Sequence, residues 1–156
     1  MKGDKTVIDL LNGCLANELI AINQYFLHAR MFKNWGMNEL DEHEYKKSIK
    51  DMKHADKIIE RVLFLEGFPN LQKLGKLLIG EDTKEMLECD LKLEMLTLQS
   101  LRDAIAICES SSDFVSRDVL VDILESEEEH VDWIEAQLDL IGKITIENYI
   151  QSMMDD

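Results

Sequence analysis

Two stretches of the chain pair a carboxylate with a histidine three residues later, Asp51-x-x-His54 and Glu127-x-x-His130. On a helix that spacing projects both side chains from nearly one face, so each pair can grip one metal ion. One pair alone would say little in a chain so rich in acidic residues. Two lone carboxylates, Glu18 and Glu94, fall on apolar stripes elsewhere. They complete a set of one carboxylate from each of two helices and a carboxylate-x-x-His from each of two more, the ligand pattern described for dimetal centres in helical bundles. Four carboxylates neutralise two divalent ions and can bridge them, while two neutral imidazoles complete one end of each. Hard oxygen ligands suit an ion passing from Fe(II) to Fe(III), so two iron ions and their oxidation by dioxygen or peroxide are the chemistry this set serves. Tyr25, two turns beyond Glu18 on the same stripe, is either an ordinary core tyrosine or a partner that hydrogen-bonds a ligand or supplies an electron.

Such a centre needs four helices, and the punctuation of the chain provides them. With a single proline, Pro69, and most glycines between periodic segments, the sequence predicts an all-α domain. Its helices span about 4–35, 38–66, 83–109, 113–142 and 145–153, with Asp4 as the first N-cap and Gly36, Gly67 and Gly142 at helix ends. Residues 67–82 form a connection long enough to cross from one end of a bundle to the other. Inward stripes read Cys14, Glu18, Ala21, Tyr25; Asp51, His54, Ile58, Val62; Leu87, Leu91, Glu94, Leu98, Leu101; and Leu120, Ile123, Glu127, His130, Ile134, Leu138. A carboxylate in an apolar core costs several kcal/mol unless it is paired, protonated or bound to metal. Each stripe holds at least one.

At 156 residues the chain is one domain's worth and can bury a core without disulfides. Three widely spaced cysteines, Cys14, Cys89 and Cys108, offer no C-x-x-C pair and read as buried free thiols. A formal charge of −15 with no basic tail excludes a grip on nucleic acid and favours cations. No apolar run is long enough to span a membrane, and no signal peptide opens the chain, so it is expected in the cytoplasm. His28 and His43 lack a partner at ligand-like spacing and read as structural or surface residues. The first two helices are apolar on a second side, through Ile8, Leu15, Leu19, Ile22 and Phe26 and through Tyr45, Ile49 and Met52. A helix buried on two sides needs a neighbour outside its own bundle, which predicts a self-complementary subunit interface. Met52 there is either a packing residue or a thioether ligand for haem.

Several long runs carry a resemblance: Met1-Lys-Gly-Asp4, Asn17 to Arg30 (NELIAINQYFLHAR), Met52-Lys-His-Ala-Asp56, Phe64-Leu-Glu-Gly67, Leu77-Leu-Ile-Gly-Glu81, Ser116-Arg-Asp118 and Glu147-Asn-Tyr149. Over essentially its whole length the chain resembles the bacterioferritins, the haem-containing branch of the ferritins. The resemblance implies a 24-subunit shell built from dimers that oxidises Fe(II) at each bundle centre and stores Fe(III) mineral inside. It matches Glu18, His54, Glu94, Glu127 and His130 to ferroxidase ligands. It also implies a haem b on the dimer two-fold, bound by Met52 from each subunit and bordered by Leu19, Ile22, Asn23, Phe26, Tyr45 and Ile49. Electrons from a small iron–sulfur ferredoxin would pass through that haem to release stored iron, and the fifth helix would line four-fold channels.

The chain departs from the family pattern at its centre. Position 51 is usually glutamate, whereas Asp51 reaches roughly 1.5 Å less far from the same backbone. Lys46 and Lys50 stand where many relatives carry a histidine and an acidic residue, and lysine repels iron at neutral pH. These changes suggest a second reading, a haem-bearing subunit with weakened iron oxidation that co-assembles with a more active paralogue. A peroxide-reducing di-iron carrier would add a C-x-x-C iron domain that is absent here. A DNA-protecting mini-ferritin would lack the fifth helix and place ligands between subunits.

Overall fold

The computed structural model describes residues 1–73 and 75–154. Helices account for its regular structure, in the order α1 Lys5–Asn34, α2 Asn38–Phe64, α3 Thr83–Ser110, α4 Phe114–Ile144 and α5 Ile146–Ser152. No strand occurs among the described residues. The first four pack as a bundle, with α1 against α2, α3 against α4 and α1 against α3, while α5 folds back onto α4.

Capping explains where the helices start. The Asp4 carboxylate accepts from the Val7 amide, Asp82 from the Glu85 amide, and Asp113 from the Ser116 amide. Helix α2 has no side-chain cap; instead the Glu39 amide donates to the Met153 carbonyl at 3.1 Å, so the end of α5 satisfies the start of α2. At their C-termini α1, α2 and α3 share one device. The amide three residues past each helix's last residue closes onto a carbonyl of the final turn: Met37 to Phe32, Gly67 to Val62, and Asp113 to Cys108. The residue that turns left-handed is Gly36 in the first, but Glu66 and Ser112 in the others, at φ 63° and 59°. Gly67, expected as the turning residue, lies one position later; a Cβ there would stand 2.7 Å from Ile8 Cγ2. Gly142 does not stop α4 either, which runs on to Ile144 and breaks at Thr145, φ 74° and ψ 157°.

The segment between α2 and α3 lies alongside α1. Asn70 bonds Asn12, the Leu78 amide donates to Gln24 Oε1 at 2.9 Å, and the Gly80 amide donates to His28 Nε2 at 3.2 Å. From Asn12 to His28 is about 24 Å of helix, so the segment carries the chain from one end of the bundle to the other. Two apolar clusters fill the bundle on either side of its polar middle. One joins Leu11, Leu15, Ile58, Val62, Leu101, Leu120 and Ile123; the other joins Phe32, Leu40, Met86, Leu87, Ile134 and Tyr149. Cys14 and Cys108 are buried free thiols as expected, whereas Cys89 is only half-buried. Leu15 belongs to the first cluster and is fully buried, so it leaves the outward stripe to which its spacing assigned it. Among the described residues no helix is long and apolar enough to cross a membrane.

Candidate metal centre

Between the two clusters the bundle brings together all six residues singled out by spacing, with a seventh among them. Helix α1 gives Glu18, α2 gives Asp51 and His54, α3 gives Glu94, and α4 gives Glu127 and His130. The seventh is Lys47. It precedes Asp51 by one turn and His54 by two, so all three share a face of α2. None of the seven is more than 7% exposed.

One half of this centre is a ligand cage. Atoms of Glu18, Asp51, His54 and Glu127 all lie within 4.8 Å of one another. His54 Nδ1 stands 3.2 Å from Glu127 Oε1, 3.4 Å from Asp51 Oδ1 and 3.7 Å from Glu18 Oε2. Both Glu18 oxygens, Asp51 Oδ2 and His54 Nδ1 are buried without a hydrogen-bond partner. Unpaired buried acceptors are costly, and a hard divalent cation is the group that oxygens and an imidazole so placed would satisfy.

The other half is organised around the Lys47 ammonium. Lys47 Nζ donates to Asp51 Oδ1, lies 2.9 Å from Glu127 Oε2 and 3.2 Å from Glu127 Oε1, and stands 3.7 Å from Glu94 Oε1. Glu94 also accepts from the Tyr25 hydroxyl at 2.5 Å, and the Tyr25 ring meets the His130 ring edge-on at 5.1 Å. Tyr25 therefore touches two of the candidate ligands. His130 Nε2 and Glu94 Oε2 remain unpartnered.

The two halves differ electrically. At His54 burial opposes the charged form, but the neighbouring carboxylates of Asp51, Glu127 and Glu18 outweigh it and push the imidazole up to about 11. At His130 burial, reinforced by Lys47, pushes the ring down to about 2. Burial raises Glu18, helped by Asp51 and Glu127, and raises Glu94 against the pull of Lys47. Glu127 is buried too, yet Lys47 and bonds from its neighbours hold it well below the usual carboxylate range. Burial disfavours the Lys47 ammonium, but Asp51, Glu94, Glu127 and Glu18 hold it charged. Without metal, Lys47 and His54 are thus both held as cations among these carboxylates.

A cavity of about 360 Å³ reaches this centre between α2 and α4, lined by His43, Lys46, Lys47, Lys50, Ser126, Glu129, His130 and Trp133. Its lysines face any approaching cation. His43 lies half-buried on the Trp133 ring at 3.6 Å. His28, by contrast, is fully buried: Asp90 Oδ1 takes hydrogen bonds at 2.9 Å from both Gln24 Nε2 and His28 Nδ1. Glu44 is buried beside this network. Lys47 was the residue missed by spacing alone, although its phase, four before Asp51 and seven before His54, marks it as inward.

On the outer side of α1 and α2, Phe26, Tyr45, Ile49 and Met52 are all more than a third exposed, and Asn23 is exposed with them. Leu19 and Ile22 are half-buried. Arg30 covers the Phe26 and Tyr45 rings at 5.5 and 4.8 Å.

A family model described as ferritin-like domain matches residues 8–144. The chain is 46% identical over 151 residues to a bacterioferritin of Brucella melitensis, covering 97% of this chain and 94% of that one. It is 46% identical over 144 residues to one from Rhodobacter capsulatus, covering 92% and 89%. A bacterioferritin of Mycobacterium tuberculosis is 44% identical over 149 residues, covering 96% and 94%.

Proposed function

We propose, since this chain belongs to the ferritin-like family, that it is a subunit of an iron-storing oligomer whose bundle centre receives Fe(II) as substrate. The carrying observation is the set of buried atoms without a partner on Glu18, Asp51 and His54, three residues whose ligand atoms, with one from Glu127, lie within 4.8 Å of one another inside a four-helix bundle. The roles of the six ligands are proposed with it. Glu18, Asp51, His54 and Glu127 would hold iron in one half of the centre; Glu94 and His130 would complete the other. Tyr25, bonded to Glu94, positions that carboxylate and is the nearest phenol to the site.

A second reading, that of slowed oxidation, is favoured by Lys47 together with Asp51. An ammonium already neutralises charge that the carboxylates would otherwise offer to iron, and the lysine-lined mouth repels the substrate on its way in. Such a subunit would serve a shell beside a more active paralogue, as well as in one of its own kind. Aerobic addition of Fe(II) to the purified oligomer tests both statements. Fe(III) should stay with the protein on gel filtration, and stopped-flow oxidation should be slower than in a variant carrying Lys47→Ala with Asp51→Glu. Loss of all iron from the protein would overturn the storage role, and equal rate and stoichiometry in the two proteins would overturn the attenuation.

The exposed apolar face supports pairing of two copies around a haem. Met52 would ligate it, with Leu19, Ile22, Asn23, Phe26, Tyr45 and Ile49 along its border, and the haem would supply a one-electron route between the outside and the stored iron. The family resemblance extends this to a 24-subunit shell and to a small iron–sulfur ferredoxin as electron donor. It also carries the expectation of a cytoplasmic location.

A further inference from the structure

A dimetal centre needs two positions open to a cation, and the halves of this one are unlike. In the half that contains Glu18, both Glu18 oxygens, Asp51 Oδ2 and His54 Nδ1 are buried without a hydrogen-bond partner. In the other half, the oxygens that would meet a second ion are already engaged. Asp51 Oδ1 and both Glu127 oxygens accept from Lys47 Nζ, and Glu94 Oε1 lies 3.7 Å from it. A metal at bonding distance from those oxygens, about 2.0–2.2 Å, would sit almost in contact with the ammonium. Lys47 is 5% exposed and reaches the centre from one turn before Asp51, so its nitrogen is part of the packed interior.

Asp51 and Lys47 also fit one another in size. Asp51 is one methylene shorter than a glutamate would be, and the Lys47 ammonium hydrogen-bonds its carboxylate. The methylene lost at position 51 and the ammonium one turn before it thereby act together.

We propose that the Lys47 ammonium is the built-in second cation of this centre, and that each subunit consequently takes one divalent metal ion, held by Glu18, His54 and the free oxygen of Asp51 while Glu127 stays bonded to Lys47, instead of two. The inference rests on the reading of this centre as a metal site and narrows it. Glu94 and His130 are then not ligands of a metal in the native subunit: Glu94 is bonded to Tyr25, and His130 is packed against the Tyr25 ring.

The test is an anaerobic titration of the assembled full-length protein with Co(II), whose visible absorption reports inner-sphere binding without turnover. The centre's share of the signal is the saturable step that disappears in a Glu18→Ala, His54→Ala double variant. One equivalent per subunit is expected for the native chain, and two for Lys47→Ala and for Lys47→Gln, a twofold rise in stoichiometry. Crystals grown with Co(II) should show one anomalous peak at the centre, against Glu18, Asp51 and His54. Two equivalents in the native protein would overturn the inference, since Lys47 would then be yielding its place. So would a step that stays at one equivalent in both Lys47 variants, because something else would then exclude the second ion. Should one variant fail to fold, the native stoichiometry and the other variant still decide. No centre-dependent step at all would overturn the underlying metal-site reading, an outcome distinct from the other two.

Discussion

Burial of so many ionisable groups in one layer gives the metal-free protein a characteristic response to pH. Glu18, Glu44 and Glu94 are raised by burial, so the folded chain keeps protons that the unfolded chain releases above about 4.5, and stability from these groups falls as pH rises. His54, held charged up to about 11, acts in the same direction above its ordinary 6.5. His43 and His130, pushed down by burial to about 4 and about 2, oppose them only below 6.5, where the unfolded chain binds protons that the folded one refuses. The metal-free oligomer should therefore lose thermal stability steadily from pH 7 to pH 9, as read by Tm. A divalent ion bound at Glu18, Asp51 and His54 should flatten that slope; a Tm independent of pH in the metal-free protein would contradict the charge assignments. Six of the seven ionisable residues at the metal centre were legible from spacing, since a carboxylate or imidazole on an apolar stripe is conspicuous. Lys47 was not, because Lys46, Lys47 and Lys50 crowd five positions with one residue type, and a lysine run ordinarily reads as a solvated face. Only the helical phase relative to Asp51 and His54 separates the inward lysine from its exposed neighbours.

The elements show where local rules hold and where packing overrides them. Asp4 and Gly36 announce their cap and turn in the sequence and do what their chemistry allows. Glu66 and Ser112 turn left-handed without a glycine's freedom, and nothing in their residue type announces it. Replacing Glu66 with glycine should stabilise the fold by about 0.5–1 kcal/mol, visible as a higher urea midpoint at unchanged slope. Gly67→Ala should do the opposite, since its new Cβ would press on Ile8. Thr145 is the more strained residue: a β-branched side chain at φ 74° and ψ 157° occupies a region essentially reserved for glycine. Thr145→Gly should stabilise by about 1–2 kcal/mol, provided that α5 stays seated on α4. The fold class and the crossover were readable from periodicity and from the length of the punctuated stretch. The end of α4 was not, because Gly142 sits within a helix whose packing carries it two residues further.

At the scale of the molecule, the outward face of α1 and α2 decides what the chain can assemble into. Phe26, Tyr45, Ile49 and Met52 present apolar surface that a single subunit leaves exposed. On the proposed haem reading, Met52→Leu keeps the volume and removes the thioether, so haem absorbance should be lost while the protein's size on gel filtration stays unchanged. Ile49→Glu should instead weaken association itself. Sequence periodicity found this face but assigned Leu15 to it, one turn too far round the helix; the tight contact of α1 with α2 turns that residue into the core. Assembly size and haem were never written in the periodicity, and came only from long runs of resemblance. The crossover segment has its own consequence for exchange with solvent. The amides of Leu78 and Gly80 lie in a stretch without regular structure, yet each donates to a side chain of the fully buried Gln24–His28–Asp90 network. Deuterium should therefore enter these two positions about as slowly as it enters the middle of α1, and they should open only when the bundle itself does.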